Sequence, residues 1–154
     1  LLPGQRGAMD IFEELRADHE IQRDLIARLV ETTGDSEERK AVFSRLSEAL
    51  EAHAAAEERY FYVPLMESDL TQDKARHSVA EHKELDDFVE QLEEYDRTAP
   101  AWLETARDLE HRLTHHLDEE EHEVFQLAGK ALTETQKTDL ASEYRAMMRE
   151  RMDP

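Results

Sequence analysis

The chain of 154 residues contains no cysteine. Disulfide bonds, thiolate zinc sites, iron–sulfur clusters and cysteine nucleophiles are therefore excluded. Any bound metal must be held by histidine, carboxylate or water, a ligand set that suits iron, manganese or zinc. A sequence without cysteine also fits a reducing compartment, and we expect a cytoplasmic protein.

Basic residues are scarce. The sequence has 19 Lys and Arg against 38 Asp and Glu, which gives a formal net charge of −19. A strongly acidic surface repels phosphate, so we expect neither nucleic acid nor an anionic membrane as a partner. Long hydrophobic runs are also missing, because no stretch reaches the ~18 apolar residues of a membrane-spanning helix.

Glycine and proline are rare, with four of each, and most of them fall where helical periodicity breaks. Apolar residues at alternating steps of three and four predict helices over about 10–31, 37–67, 71–97 and 100–128. The stripe of the second helix is predicted to include Tyr60 and that of the fourth Leu127, with the fourth helix ending at Gly129. Short connections between successive helices predict an all-α, up-down-up-down four-helix bundle over residues 9–129.

The two ends of the chain lie outside this bundle. A fifth helix is predicted to begin at Thr133, where Thr133-Glu-Thr-Gln136 has the spacing of a capping box. Residues 130–154 are interpreted as a C-terminal helix packed on the bundle. The alternative that its apolar face forms a homodimer interface stays open. Residues 1–8 lack the apolar core of a signal peptide and are interpreted as a disordered arm or tag remnant.

One histidine interrupts the apolar stripe of each of the first four helices: His19, His53, His82 and His116. Four unpaired imidazoles in one small core are costly unless something at the centre binds them, and a metal centre is the simplest explanation. Glu57 and Glu120 follow two of these histidines by four residues and lie on the same stripes. The four histidines are expected at one level of the bundle, where Glu57 and Glu120 could bridge two ions. The arrangement therefore leaves room for two metals.

Other histidines form pairs with acids beside the stripes. His77 with Glu81 and His115 with Glu119 are interpreted as solvated ion pairs, and His111 and His122 as surface residues. Asp86, four residues after His82, lies at the edge of its stripe. The Glu-x-x-His spacing of ferritin-like bundles occurs once, at Glu119 and His122, away from the stripe, which disfavours metal storage.

These segments together resemble the hemerythrin-like, or HHE cation-binding, family over about residues 10–128. The segments that resemble its four motifs are Asp18-His19-Glu20, His53-Ala-Ala-Ala-Glu57-Glu58, Glu81-His82-Lys-Glu-Leu85 and His115-His116-Leu-Asp-Glu-Glu120-Glu121. The resemblance implies a non-haem di-iron centre with an oxo or hydroxo bridge. It implies that His19 and His53 serve one iron, that His82 and His116 serve the other, and that Glu57 and Glu120 bridge them.

The sequence departs from the oxygen-carrying members of this family at two positions. Carriers have a second histidine where this chain has Asp86, and their last motif has a longer spacing than His116-x-x-x-Glu120. An anionic Asp86 ligand would stabilise ferric iron, whereas an Asp86 outside the ligand set would leave a coordination position open. Either case favours oxidation chemistry or sensing over reversible oxygen carriage.

The sequence therefore predicts a metal set that consists of His19, His53, Glu57, His82, Asp86, His116 and Glu120. The expected function is that of a non-haem di-iron protein that binds or reacts with dioxygen, peroxide or nitric oxide. The sequence leaves open whether the protein catalyses a reaction as an oxidoreductase. Zinc or manganese could occupy the same ligands. The alternative is an iron- or oxygen-sensing regulatory module whose metal occupancy controls a partner.

Overall fold

A computed structural model describes residues 9–152. The arm predicted at residues 1–8 lies outside the described residues. The first helix, α1, spans Ile11–Val30, and α3 spans Gln72–Glu94. Two helices are interrupted by a π-helical turn: α2 runs Glu37–Glu57, Glu58–Tyr62 (π) and Val63–Leu65, and α4 runs Pro100–Glu119, Glu120–Val124 (π) and Phe125–Ala131. The last helix, α5, spans Glu134–Met152.

The predicted all-α fold is confirmed over the part of the chain that the structure describes, where no strand occurs. In the bundle, α1 packs against α2 and α4, and α3 packs against α4. The fifth helix lies across α1 and α2. Within residues 9–152, none of the helices has both the length and the apolar character needed to cross a membrane.

The ends of the helices follow local capping rules. Asp10 accepts the backbone N–H of Glu13 at 2.9 Å, and the Glu13 carboxylate accepts the backbone N–H of Asp10 in return, which is a capping box. The predicted box at the start of α5 is confirmed by the reciprocal bonds between Thr133 and Gln136. The predicted end of α4 at Gly129 is wrong, because the helix continues to Ala131 and breaks only at the extended Leu132.

The apolar core is divided into two clusters. The Phe61 cluster includes Ile11, Leu15, Phe61, Tyr62, Phe125 and Tyr144. The Trp102 cluster includes Leu25, Leu29, Leu46, Leu50, Trp102 and Leu109. Along α1 the first cluster ends at Leu15 and the second begins at Leu25, with the buried polar residues Asp18, His19 and Gln22 between them. A layer of polar side chains therefore crosses the middle of the bundle.

The π-helical turns change which side chains face the core after that layer. In each turn a backbone N–H bonds to the carbonyl five residues earlier, as Val63 does to Glu58, so one extra residue enters the turn. The prediction that Tyr60 continues the apolar stripe of α2 is wrong. Tyr60 is half-buried, and Phe61 and Tyr62 are fully buried instead.

The same shift occurs in α4, where the N–H of Phe125 bonds to the carbonyl of Glu120. Leu127, predicted on the stripe, is half-buried, whereas Phe125 and Ala128 are buried. One π turn begins directly after Glu57 and the other begins at Glu120, so both lie at a glutamate of the polar layer. They bring aromatic rings under that layer in two helices that are otherwise regular.

Candidate metal centre

Glu57 is the centre of the polar layer and has no exposed surface. Its Oε1 lies 3.3 Å from Nε2 of His53, one helical turn earlier, and 3.0 Å from Nε2 of His82 on α3. Its Oε2 lies 3.9 Å from Nε2 of His19 on α1. One carboxylate thus faces imidazoles from three helices.

Glu120 approaches the same place from α4 and is also buried. Its Oε1 lies 3.3 Å from Nε2 of His19, and its Oε2 lies 3.6 Å from Nε2 of His116. The hydroxyl of Tyr62 donates a hydrogen bond to the same Oε2. The two oxygens of Glu120 therefore face histidines on opposite sides of the centre.

The ligand atoms form two buried groups in which all of them lie within 4.8 Å of one another. One group consists of His19, His53 and Glu57, and the other of Glu57, His82, His116 and Glu120. Glu57 belongs to both groups. Six of the seven sequence-predicted residues are thus brought together. The seventh, Asp86, belongs to neither group and is exposed at the surface.

Three of the four imidazoles are held from behind by a hydrogen bond at Nδ1. The partners are Glu121 for His19 at 2.6 Å, Tyr144 for His53 at 2.6 Å and Glu81 for His116 at 2.9 Å. A hydrogen bond at Nδ1 fixes the ring and leaves the Nε2 lone pair for a metal. The Nδ1 atom of His82 has a more distant neighbour, Glu58, at 3.7 Å.

The bond at His53 continues into a chain of three groups. The Tyr144 hydroxyl donates to the carboxylate of Asp18, so it accepts the proton of His53 Nδ1–H. Arg145, the next residue of α5, pairs with Asp18 and Glu14 on α1. The fifth helix therefore contributes directly to the orientation of a ligand in the core.

In contrast to most of the Nδ1 atoms, most Nε2 atoms of these histidines have no hydrogen-bond partner among the described residues. Buried atoms without a hydrogen-bond partner among the described residues include Nε2 of His19, His53 and His116, both oxygens of Glu57 and Oε1 of Glu120. Buried polar atoms are normally paired, and an unpaired one costs about 1–3 kcal/mol. These atoms point toward one another, and they are the nitrogen and oxygen donors that a divalent cation binds. The residues therefore fit a metal site.

The two central carboxylates differ in pKa although both are buried. Burial raises the pKa of Glu57, but the charge of His53 and the close approach of His19 and Glu120 outweigh burial and hold the pKa well below its ordinary value. Burial and the charge of Glu57 raise the pKa of Glu120. Glu57 is therefore the stronger acid of the pair, as expected when two carboxyl groups share one buried place.

Two imidazoles balance this negative charge. Burial lowers the pKa of His82, but the nearby carboxylates of Glu57 and Glu58 outweigh burial and raise it from 6.5 to about 10. The pKa of His19 is also raised, because its bonds with Glu120 and Glu121 outweigh burial. Both groups hold a proton at neutral pH unless a metal replaces it.

The residues behind the ligands were not predicted from the sequence. The prediction that Glu81 is half of a solvated pair with His77 is wrong for Glu81, which pairs with His77 but is buried and bonds to His116. A second glutamate follows each central glutamate, at positions 58 and 121. This repeated Glu-Glu pair is the sequence pattern that could have indicated a role for Glu121. Tyr144 carries no local signal, because its partner His53 lies 91 residues earlier.

Comparison with known proteins supports the fold and the kind of site. The sequence profile of the hemerythrin HHE cation binding domain matches residues 10–128. The structure of an HHE cation-binding-domain-containing protein from Mycobacterium kansasii superposes with a TM-score of 0.83. The two chains are 23% identical, and the superposition covers 93% of this chain and 87% of the other.

A longer relative is found among characterised proteins. A protein described as a DNA nickase, from Nostoc sp. (strain PCC 7120), is 26% identical over 138 residues. The alignment covers 90% of this chain but 39% of the relative. The chain therefore spans about two fifths of the length of that protein.

Replacing Tyr144 with Phe removes the hydroxyl between His53 and Asp18 and keeps the ring in the Phe61 cluster. We expect metal affinity to fall about 10–100-fold, the usual effect of removing a group that orients a histidine ligand. Tyr60→Phe is the matched control, because the Tyr60 hydroxyl forms no hydrogen bond within residues 9–152. Equal affinities for the two variants, measured by competition with a chelator, would show that Tyr144 does not orient His53.

Metal binding should release protons. At pH 7, His19 and His82 are protonated in the protein without metal, because their pKa values are raised, and a cation must displace these protons. Affinity should therefore increase as pH rises from about 6.5 toward the pKa of His82 at about 10. Calorimetric titrations in two buffers of different ionisation enthalpy measure the release, and identical heats would contradict it.

Proposed function

Because the chain belongs to the hemerythrin HHE cation binding domain family, we propose that its core holds two iron ions and binds or reacts with dioxygen, peroxide or nitric oxide. The observation that carries the proposal is the pair of buried ligand groups that share Glu57. Two adjacent groups of this composition provide for two cations, and a shared carboxylate is suited to bridge them.

The proposal assigns each ion two histidines and the two shared carboxylates. His19 and His53 face one position, and His82 and His116 face the other. When bound, a pair of irons would supply two electrons and open coordination positions for a small ligand. Zinc and manganese accept the same donors, so the choice of iron is part of the proposal.

A small cavity beside the polar layer favours a small ligand. Its lining includes His53, His82 and His116, together with Leu50, Leu85 and Val89 of the Trp102 cluster. It offers about 20 Å³ to the centre of a water-sized molecule. This volume fits one or two waters or a diatomic molecule and excludes an organic substrate.

Gln22 is positioned to hold such a ligand. Its side chain lines the cavity, is 1% exposed, and has an Nε2 without a hydrogen-bond partner in residues 9–152. An amide nitrogen has two donors, and an unsatisfied buried donor is stabilised by any acceptor that enters the cavity. We propose that Gln22 donates a hydrogen bond to the bound ligand.

Asp86 lies at the outer side of the same cavity, since it lines the cavity and is exposed. With Asp86 outside both ligand groups, His82 and His116 would hold an ion beside the cavity, where it would supply an open position to a small ligand. An open position favours reaction with oxidants over protected, reversible carriage. Asp86 would then control entry by its charge and would not act as a ligand.

A Gln22→Leu variant tests this function after anaerobic loading with Fe(II) and oxidation. We expect unchanged iron content and an affinity for azide, an anionic probe ligand, that is lower about tenfold, which corresponds to the loss of one hydrogen bond. Gln126→Leu, an exposed position on α4, is the control. If azide and peroxide leave the visible spectrum of the iron-loaded wild type unchanged, the proposed function is wrong.

A sensing role is the second candidate, and the link between α5 and the core favours it. Tyr144 connects α5 to His53, so a change in the orientation of His53 on metal binding would reach a helix on the outside of the bundle. The length of the Nostoc relative is compatible with such a domain acting inside a larger protein. The charge of −19 gives no support for contact with DNA by this domain.

Hydrogen exchange distinguishes the two functions. If metal occupancy is the signal, amides of α5 should exchange faster in the protein without metal than in the loaded protein, relative to amides near Trp102. Equal protection of α5 in both forms would rule out the sensing role and leave the reactive centre as the function.

A further inference from the structure

A second set of metal-ligating side chains lies on the outer face of α3 and α4. It consists of His77 and Glu81 on α3 and Glu119 on α4, whose ligand atoms all lie within 4.8 Å of one another. His77 Nε2 is 3.5 Å from Glu81 Oε2 and 3.3 Å from Glu119 Oε1. His115, one turn earlier on α4, places its Nε2 3.1 Å from the other oxygen of Glu119. We call these four residues the outer cluster.

The spacing of the outer cluster repeats the arrangement found in the core. His77 precedes Glu81 by four residues on α3, and His115 precedes Glu119 by four residues on α4. The two helices are antiparallel neighbours, so the His–Glu pair of α3 lies beside the His–Glu pair of α4. The cluster therefore offers nitrogen and oxygen donors from two rigid helices.

The outer cluster differs from an ordinary surface ion pair in one respect. Glu81 is only 7% exposed at its side chain, and its two oxygens face different sites. Oε1 accepts the Nδ1–H of the core residue His116 at 2.9 Å, and Oε2 faces His77. A buried carboxylate with one oxygen held in place presents the other oxygen in a fixed direction, which lowers the entropic cost of binding a cation.

We propose that His77, Glu81 and Glu119 form an outer site for a divalent cation, separate from the two core positions. Three protein ligands with water in the remaining positions suit zinc, and the same donors accept Fe²⁺ or Mn²⁺. His115 supports the site by holding the free oxygen of Glu119. The site is accessible, since His77 is 55% exposed at its side chain.

The shared glutamate couples the two sites. A cation on Oε2 of Glu81 draws electron density from the carboxylate and weakens Oε1 as the acceptor for His116. His116 then becomes a weaker donor toward the core position that it faces. Linkage requires the effect to be reciprocal, so each site lowers the affinity of the other by the same factor.

Equilibrium dialysis with Zn²⁺ tests the outer site on the full chain. At micromolar free zinc, we expect His77→Ala to retain one zinc equivalent fewer than wild type and Glu119→Gln to show the same loss. His122→Ala is the matched control, because His122 is an exposed histidine of α4 outside all three groups and should retain the wild-type amount.

The readout is a difference of one equivalent between variants, so it does not depend on which metal the core prefers or how many ions it holds. Failure of the core proposal would lower the zinc content of wild type and His77→Ala together and leave their difference unchanged. Equal zinc content in His77→Ala and His122→Ala, at every free-zinc concentration used, would overturn the outer site.

Discussion

The carboxylates of Glu57 and Glu120 lie fully buried in the middle of the bundle, and the rest of the structure is arranged around their charge. Burying an unpaired ion costs several kcal/mol even after relaxation. A domain of this size has a total stability of only about 5–15 kcal/mol. Protons on His19 and His82 offset this cost without metal, and cations would offset it with metal. Burial of these acids therefore ties stability to whatever positive charge occupies the centre.

The scaffold holds this polar layer between two apolar clusters. The Trp102 cluster packs on one side of the layer and the Phe61 cluster on the other. The π turns that begin at Glu58 and Glu120 place Tyr62 and Phe125 against it, where Tyr62 bonds to Glu120 and Phe125 stacks on His19. Since π turns cost regular hydrogen-bond geometry and often occur at functional sites, their pairing with the two central acids is consistent with a role in shaping the centre.

Sequence reasoning predicted the fold and the positions of the central ligands because both depend on helical periodicity. A polar residue on the apolar stripe of a helix must face the core of a four-helix bundle. The burial of His19 and Glu57 could therefore be predicted from the sequence. The face predicted from periodicity is wrong where the backbone departs from 3.6 residues per turn, as it does in the π turn that contains Tyr60. Periodicity also gave no information on contacts between distant segments, such as Tyr144 with His53 or Glu81 with His116.

Anaerobic titration with Fe(II), followed by iron analysis per chain, tests the central claim most directly when wild type is compared with Glu57→Gln and Glu58→Gln. The two substitutions change neighbouring residues in the same way, but Glu57 belongs to both buried groups and Glu58 to neither. We expect two core irons in wild type and in Glu58→Gln, and a loss of at least one in Glu57→Gln. Equal iron content in all three proteins would contradict the central claim.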